Sequence, residues 1–158
     1  MENNCPFCNP EVVATSFADE SGFFAIYNHA PVVPGHSMVI PFKHCQDLME
    51  LTDDEFDLLF RFVRKITCFL NQYFKTTQFD WSLQQGIAAG QSVSHMHVHI
   101  IPRKVHDLPE GQEWYFKLNE DEFRSLDSKS FLSTDELNEM SDRLRKAWVL
   151  FNSSEKKE

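Results

Sequence analysis

The chain has 158 residues, a hydrophobic content of 42% and a formal net charge of −9. This length predicts a single domain, residues 1–158, with enough chain for a real core. The acidic balance argues against a nucleic-acid polymer as partner, because such binding needs a basic face. No apolar run reaches the ~20 residues that a membrane-spanning helix needs, and the N-terminus has no signal-like segment. We therefore expect a cytoplasmic protein without a membrane partner.

The N-terminal segment, residues 1–10, contains a Cys-x-x-Cys pair, Cys5 and Cys8. Such a pair can be a redox pair, a chance occurrence or half of a zinc site. A redox pair normally opens a helix that follows a strand, whereas this pair precedes every predicted strand. Cys45 and Cys68 carry no pattern and are interpreted as incidental or buried thiols.

Five stretches rich in β-branched and aromatic residues predict strands, at residues 12–17, 23–27, 36–42, 79–85 and 94–101. Residues 19–22 predict the turn between the first two strands, and a loop with two prolines precedes the third. Residues 106–131 have no sustained period and predict a loop, with a short strand near residues 114–118. The aromatic residues of this loop could cover a bound nucleotide or pack as a small cluster.

Two capping boxes predict the starts of helices. Thr52 and Glu55 begin a long helix over residues 52–74, whose aromatic stripe is interpreted as core. Ser133 and Glu136 begin a terminal helix, after which residues 152–158 predict a polar tail. Strands and helices in this order predict an α+β fold with a five-stranded antiparallel sheet.

Three histidines alternate with apolar residues between the last predicted turn and the end of the fifth strand: His95, His97 and His99. Side chains on a strand alternate between its faces, so these three should share one face while their apolar neighbours reach the core. A solvated strand and a partial metal clamp are the alternatives. The loop before the histidines carries Gly86 and Gly90, which let backbone amides approach an anion.

Residues 95–101, a His-x-His-x-His pattern followed by two apolar residues, resemble the motif of the histidine triad superfamily. Residues 84–92 and 102–104 extend the resemblance to the fragile-histidine-triad branch, which hydrolyses diadenosine polyphosphates. The resemblance covers nearly the whole chain. It implies a fold of one five-stranded sheet plus helices, and a homodimer that joins two sheets.

The resemblance also implies roles for individual residues. His97 would be the nucleophile, because an imidazole can attack phosphorus and then leave, and His99 would contact the phosphate. His95 completes the triad, and His36 would support it from the neighbouring strand. The residues implied to bind substrate are Asn28 at the ribose, Gln84 near the α-phosphate, Gln91 and Ser92 at the phosphate oxygens and, more loosely, Ile26 and Phe7 at the base.

Some of these residues also have ordinary structural interpretations. Asn28 could be a plain turn residue, and Gln84 an ordinary polar strand position. Lys43, Arg103 and Lys104 lie beside the motif in sequence, so local positive charge could attract an anionic substrate despite the acidic balance.

The zinc interpretation of Cys5 and Cys8 requires two more ligands, and His44 and His95 are the candidates. Some bacterial triad hydrolases and the related galactose-1-phosphate uridylyltransferases use this set, and all four positions are filled here. Closed coordination by two cysteines and two histidines implies a structural Zn²⁺. The fragile-histidine-triad proteins lack the cysteine pair, so the chain combines features of two branches.

Three functions are compatible with this sequence. The first is hydrolysis of a dinucleoside polyphosphate or nucleoside phosphoramidate at the α-phosphorus, through a nucleotidyl-His97 intermediate. The second is a nucleotidyltransferase or phosphorylase that passes the same group to a phosphate; uridylyltransferases have proline where Met96 stands. The third is a nucleotide-binding sensor without chemistry, which fold-level resemblance alone does not exclude.

Overall fold

The computed structural model describes residues 5–108, 110 and 131–155. Its centre is a five-stranded sheet in the order β1-β2-β3-β5-β4, and each neighbouring pair of strands is antiparallel. The strands are β1 (Ala18–Glu20), β2 (Phe23–Tyr27), β3 (Ser37–Pro41), β4 (Gln78–Leu83) and β5 (Val98–Arg103). The prediction of an α+β fold with a five-stranded antiparallel sheet is confirmed.

The sheet separates two apolar clusters. Val39, Val98 and Ile100 belong to the main core, together with the two long helices. Met38 belongs to a smaller cluster with Phe7. In the register of β3 and β5, Met38 is opposite His99, so this histidine lies on the face of the smaller cluster. His99 and the main-core residues Val98 and Ile100 therefore lie on opposite faces of β5.

Two long helices cover the main core. Helix α2 (Asp53–Phe74) starts at a complete capping box, in which the Thr52 hydroxyl accepts from the Glu55 N–H and the Glu55 carboxylate accepts from the Thr52 N–H. Helix α3 (Thr134–Glu155) starts with the same arrangement at Ser133 and Glu136. Both predicted starts are confirmed. Helix α3 continues to Glu155, so the predicted start of a polar tail at residue 152 was too early.

One predicted strand and one strand boundary were wrong, and the first two residues of the predicted turn 19–22 belong to β1 (Ala18–Glu20). Residues 12–17 do not form a strand, because the short helix α1 (Pro10–Val13) occupies their start. Asn9 caps this helix by accepting from the Glu11 N–H, and Pro10 has no N–H to satisfy at the first helical position. Strand β5 begins at Val98 rather than at residue 94. The strand predicted near residues 114–118, and the aromatic loop around it, lie outside the described residues.

Short 3₁₀ helices at Pro6–Cys8, Leu48–Glu50 and Ile87–Ala89 complete the secondary structure of the described ranges. Within those ranges, no helix combines the length and the hydropathy that crossing a bilayer demands.

Gly35 fixes the start of β3 against the rest of the fold. Its φ is +99°, and an added Cβ would lie 2.9 Å from both Phe74 Cδ2 and Pro102 Cγ. Only glycine meets both the backbone and the space requirement here. The close approach of Gly35 to Phe74 and Pro102 fixes the position of the next residue, His36, relative to β5.

Candidate active site and metal centre

The three triad histidines are all buried, and the apolar residues between them enter the main core as predicted. The rings of His97 and His99 are 4.8 Å apart between centroids. His95 precedes β5, and its ring meets that of His44 at 4.8 Å. Of the three alternating histidines, His95 therefore lies beside His44, whereas His97 and His99 lie side by side and line one cavity.

His97 has one ring nitrogen bound and the other available. Its Nδ1 lies 2.8 Å from the His95 carbonyl oxygen, and because a carbonyl only accepts, Nδ1 carries the proton. Nε2 then keeps its lone pair. Burial lowers the pKa of His97 below its usual 6.5, which favours the neutral ring. A neutral imidazole with a free Nε2 is a competent nucleophile.

A chain of three groups sets the tautomer of His99. The Val32 N–H donates to His36 Nδ1 at 3.2 Å, so the proton of His36 is on Nε2. This Nε2–H donates to His99 Nδ1 at 2.9 Å, which leaves His99 with its own proton on Nε2. Burial lowers the pKa of His36 to about 3 and the pKa of His99 well below 6.5. His99 therefore presents an N–H donor as a neutral ring.

Asn28 is held beside this chain of histidines. Its side-chain oxygen accepts from the Ala30 N–H, and its amide nitrogen lies 3.3 Å from His36 Nε2 and 3.9 Å from Met38 Sδ. Because Nε2 of His36 carries a hydrogen, the amide nitrogen faces another donor there rather than an acceptor. The Asn28 amide therefore offers N–H groups at the edge of the cavity described next.

His97 and His99 open onto a cavity with a volume of about 470 Å³. Its wall combines polar and apolar side chains, including Phe7, Ile26, Met38, Asn28, Gln84 and Ser92. All of these except Met38 were proposed from the sequence. A cavity of this size that is largely apolar, with a few polar groups beside the histidines, can hold one nucleoside phosphate.

Gln91 does not line this cavity within the described part of the chain. Its side-chain oxygen accepts from the Gly86 N–H at 2.7 Å, and its amide donates to the Gln46 carbonyl at 3.3 Å. Gly86 and Gly90 both have positive φ values, +83° and +87°. In this structure Gln91 stabilises the glycine loop instead of facing the phosphate position.

No lysine or arginine lines the cavity among the described residues. Lys43 lies 3.6 Å from Glu55, and Arg103 pairs with both Asp80 and Asp107. The Arg103 guanidinium holds the pKa of Asp107 below its usual value. Lys43 and Arg103 therefore serve structural ion pairs, and phosphate binding in this cavity would depend on neutral N–H and O–H donors.

Sequence reasoning missed one side of the cavity and one contact behind it. Phe131 stacks on His29 at 5.4 Å between centroids, and the Leu132 N–H donates to the His29 carbonyl, so the start of the last helix closes one side. Val32 sets the His36 tautomer through its backbone alone. No residue type signals either contact, because both depend on chain segments that meet only in the fold.

A second cluster brings together all four predicted metal ligands. Cys5, Cys8, His44 and His95 place one ligand atom each within 4.8 Å of one another. The Sγ atom of Cys5 lies 3.4 Å from His95 Nδ1, and that of Cys8 lies 3.3 Å from His44 Nδ1 and 3.6 Å from His95 Nδ1. The cluster can therefore hold a metal ion.

Three sulfur–nitrogen separations in this cluster are close to those of tetrahedral coordination. Zinc–sulfur and zinc–nitrogen bonds at the tetrahedral angle place sulfur and nitrogen about 3.6 Å apart, close to the observed separations. His95 Nε2 lies 3.0 Å from the Pro41 carbonyl, to which it donates, and Nδ1 is left with the lone pair that a metal requires. This hydrogen bond selects the correct tautomer and orients the ring toward the thiols.

Residues 9–106 match the model of the HIT domain. The chain belongs to the HIT family. It is 40% identical over 98 residues to the Schizosaccharomyces pombe bis(5'-nucleosyl)-tetraphosphatase, a match that covers 62% of this chain and 54% of that relative. The chain thus spans about half of that protein's length.

Two further HIT proteins match more of the chain. The Arabidopsis thaliana bifunctional bis(5'-adenosyl)-triphosphatase/adenylylsulfatase FHIT is 32% identical over 133 residues, which are 82% of this chain and 73% of that protein. A zinc-bound histidine triad family protein from Mycobacterium smegmatis has the same fold, with a TM-score of 0.69 and 21% identity, covering 98% and 99% of the two chains.

Proposed function

We propose that this HIT protein hydrolyses dinucleoside polyphosphates at the α-phosphorus. The observation that carries the proposal is the pair of fixed tautomers: His97 offers a lone pair at Nε2 and His99 offers a proton at Nε2, side by side on one cavity. The hydrolase names of the S. pombe and A. thaliana relatives support the same class of substrate.

The proposed reaction has two displacements. His97 Nε2 attacks the α-phosphorus, forming an N–P bond, while the bond from phosphorus to the bridging oxygen breaks. The His99 Nε2–H donates to that oxygen as it gains charge. Water then attacks the same phosphorus, the N–P bond breaks, and a nucleoside monophosphate leaves.

The side chains of the cavity wall would position the substrate. We propose that Asn28 binds the ribose hydroxyls, that Gln84 and Ser92 donate to the phosphate oxygens, and that Ile26 contacts the base. Gln91 would act indirectly, by holding the backbone of the glycine loop in place for the phosphate.

A quenched-flow incubation with diadenosine tetraphosphate tests the reaction. We expect transient adenylylation of the intact protein and release of adenosine monophosphate, both lost in His97→Ala, which should still bind nucleotide. His106→Asn is a matched control, because His106 is exposed and has a positive φ that asparagine accepts. Turnover by His97→Ala near the wild-type rate would disprove the assignment. Adenylylation that only an added phosphate acceptor discharges would favour a transferase, and binding without any adduct would favour a sensor.

We propose that Cys5, Cys8, His44 and His95 bind a structural Zn²⁺. The ligand set is closed, with four protein donors and tetrahedral spacing. The zinc-bound M. smegmatis protein shares this fold. In this arrangement the ion would tether the N-terminal segment to the end of β3 and to the residue two positions before His97.

Metal analysis tests this proposal directly. Cys5→Ser combined with Cys8→Ser should remove the bound zinc and lower the melting temperature. Cys68→Ser is the matched control, because its thiol is exposed on α2. Equal zinc content in the double variant and the control would exclude this site.

We also propose that the protein is a homodimer through the edge strand β4. Among the described residues, strand β4 pairs only with β5, and a row of partly exposed rings lies along it: Phe56 (42% exposed), Phe79 (44%) and Trp81 (39%). Unpaired strand edges and apolar patches favour association. Phe79→Glu should halve the mass measured by light scattering, whereas Leu150→Glu, on exposed α3, should not. A monomeric wild-type protein would refute the proposal.

A further inference from the structure

Phe7 lies between the two cysteines of the metal cluster and contacts two histidines. Its ring centroid is 5.1 Å from that of His97 and 5.9 Å from that of His95, and both contacts are edge-on. The ring is buried and lines the cavity. Phe7 therefore bridges the candidate metal ligands and the proposed nucleophile.

Among the described residues, one hydrogen bond, from Nδ1 to the His95 carbonyl, holds one edge of the His97 ring. A hydrogen bond at Nδ1 fixes that edge but does not by itself set the tilt of the ring. The rings of His99 and Phe7 flank it at 4.8 and 5.1 Å, and edge-on ring pairs have a preferred geometry. Phe7 is the flanking ring whose own backbone is tied to the cysteines.

We propose that Phe7 is a positioning residue that transmits the state of the Cys5, Cys8, His44 and His95 cluster to the His97 ring. When the cluster holds a metal, the 3₁₀ helix Pro6–Cys8 is fixed at both ends, and Phe7 sets the direction of His97 Nε2. Without metal this helix is released, and Nε2 loses alignment with the substrate. The catalytic consequence rests on the proposed function, whereas the coupling between metal and ring does not.

The first test measures the coupling without catalysis. The metal-free protein is titrated with Zn²⁺ while the His97 ring is followed by nitrogen-15 NMR. Wild type should show a clear shift of the His97 signals. Val13→Ala is the matched control and should show the same shift, because Val13 packs against the small apolar cluster that contains Phe7 but does not line the cavity. In Phe7→Leu, which keeps all four ligands, the shift should be clearly smaller, because the edge-on contact that carries the coupling is lost. An undiminished shift in Phe7→Leu, with zinc still bound, would overturn the proposal.

The second test separates positioning from base stacking. A positioning role predicts that Phe7→Leu lowers kcat by about tenfold with little change in KM, whereas a simple base platform predicts a raised KM at unchanged kcat. Phe7→Tyr, which keeps the ring, should restore most of kcat. Removing zinc should slow the wild type strongly and slow Phe7→Leu only slightly. Zinc removal and the Phe7→Leu substitution both interrupt the same connection between the ligand cluster and His97, so their effects should not add. Equal losses of kcat in wild type and Phe7→Leu on zinc removal would overturn the proposal. A wild-type protein without any turnover would instead refute the proposed function, and the NMR test of the coupling would remain valid.

Discussion

The histidine chain beneath the cavity predicts that two conservative changes at His36 lower kcat by clearly different amounts. The side-chain amide of asparagine can occupy the place of the imidazole Nδ1, and that of glutamine the place of Nε2. His36→Asn can therefore still accept from the Val32 N–H but cannot reach His99. His36→Gln can still donate to His99 Nδ1 but leaves the Val32 N–H without a partner.

The structure sets the size of both effects. His36 is fully buried, so each variant leaves one polar group unsatisfied, the buried Nδ1 of His99 or the partly buried Val32 N–H, at a cost of about 1–3 kcal/mol in the free energy of unfolding. In His36→Asn, His99 is no longer held in the tautomer with its proton on Nε2. Loss of one preorganised donor lowers kcat by about 100-fold. His36→Gln keeps that donor, and its kcat should stay within about tenfold of the wild type.

Urea denaturation and steady-state hydrolysis of diadenosine tetraphosphate, both with zinc present, measure the two quantities separately. We expect similar losses of stability and clearly different losses of kcat. If the asparagine variant were as active as the glutamine variant, the tautomer of His99 would not depend on His36, and the reasoning would fail.

Three further predictions concern stability. Because the pKa of His36 is about 3 in the folded chain and near 6.5 when unfolded, the unfolded state binds the extra proton first. Stability should fall by about 1.4 kcal/mol per pH unit below pH 6.5 from this residue, and urea denaturation from pH 7 to 4.5 should show a shallower slope in His36→Gln. Gly35→Ala should lower the free energy of unfolding by about 2–4 kcal/mol, through backbone strain and overlap of the new Cβ with Phe74 and Pro102. Gly22→Ala, which has a similar φ but open space around the Cβ, should lower the free energy of unfolding clearly less in the same urea denaturation, and equal losses would contradict the overlap at Gly35. Arg103→Lys should lose about 1 kcal/mol in thermal denaturation, because a lysine cannot make the two-pronged pair with Asp107, and an unchanged melting curve would contradict that role.

The sequence predicted those features that depend on local periodicity. The alternation from His95 to Ile100 placed Met96, Val98 and Ile100 in the core, and Thr52 and Glu55 marked the start of the long helix. The cluster of Cys5, Cys8, His44 and His95, which could hold a metal, was found because its ligand types are chemically distinctive and few in number. In each case the signal lies in residue types at short or known spacing.

Other features depend on contacts that spacing does not encode. The β-branched residues after Asn9 and Pro10 suggested a strand, although an Asn-Pro pair is itself a helix-start signal that could have corrected the prediction. Gln91 was placed at the phosphate, but in the fold its amide is satisfied by Gly86 and Gln46. The tautomers of the histidines follow from partners that are distant in sequence, so only the structure could supply them.

Arg145 links the last helix to the segment that follows α1. Its guanidinium, on α3, donates to the carbonyl oxygens of Ala14 and Ser16. Helix α3 lies wholly beyond residues 9–106, the range that the family model recognises, and Cys5, Phe7 and Cys8 precede that range. A fragment trimmed to residues 9–106 would keep His97 and His99 yet lose Cys5, Cys8, the Phe7 ring and the helix that carries Arg145. A fragment that is to test the zinc proposal or the Phe7 proposal must therefore extend beyond the recognised range at both of its ends.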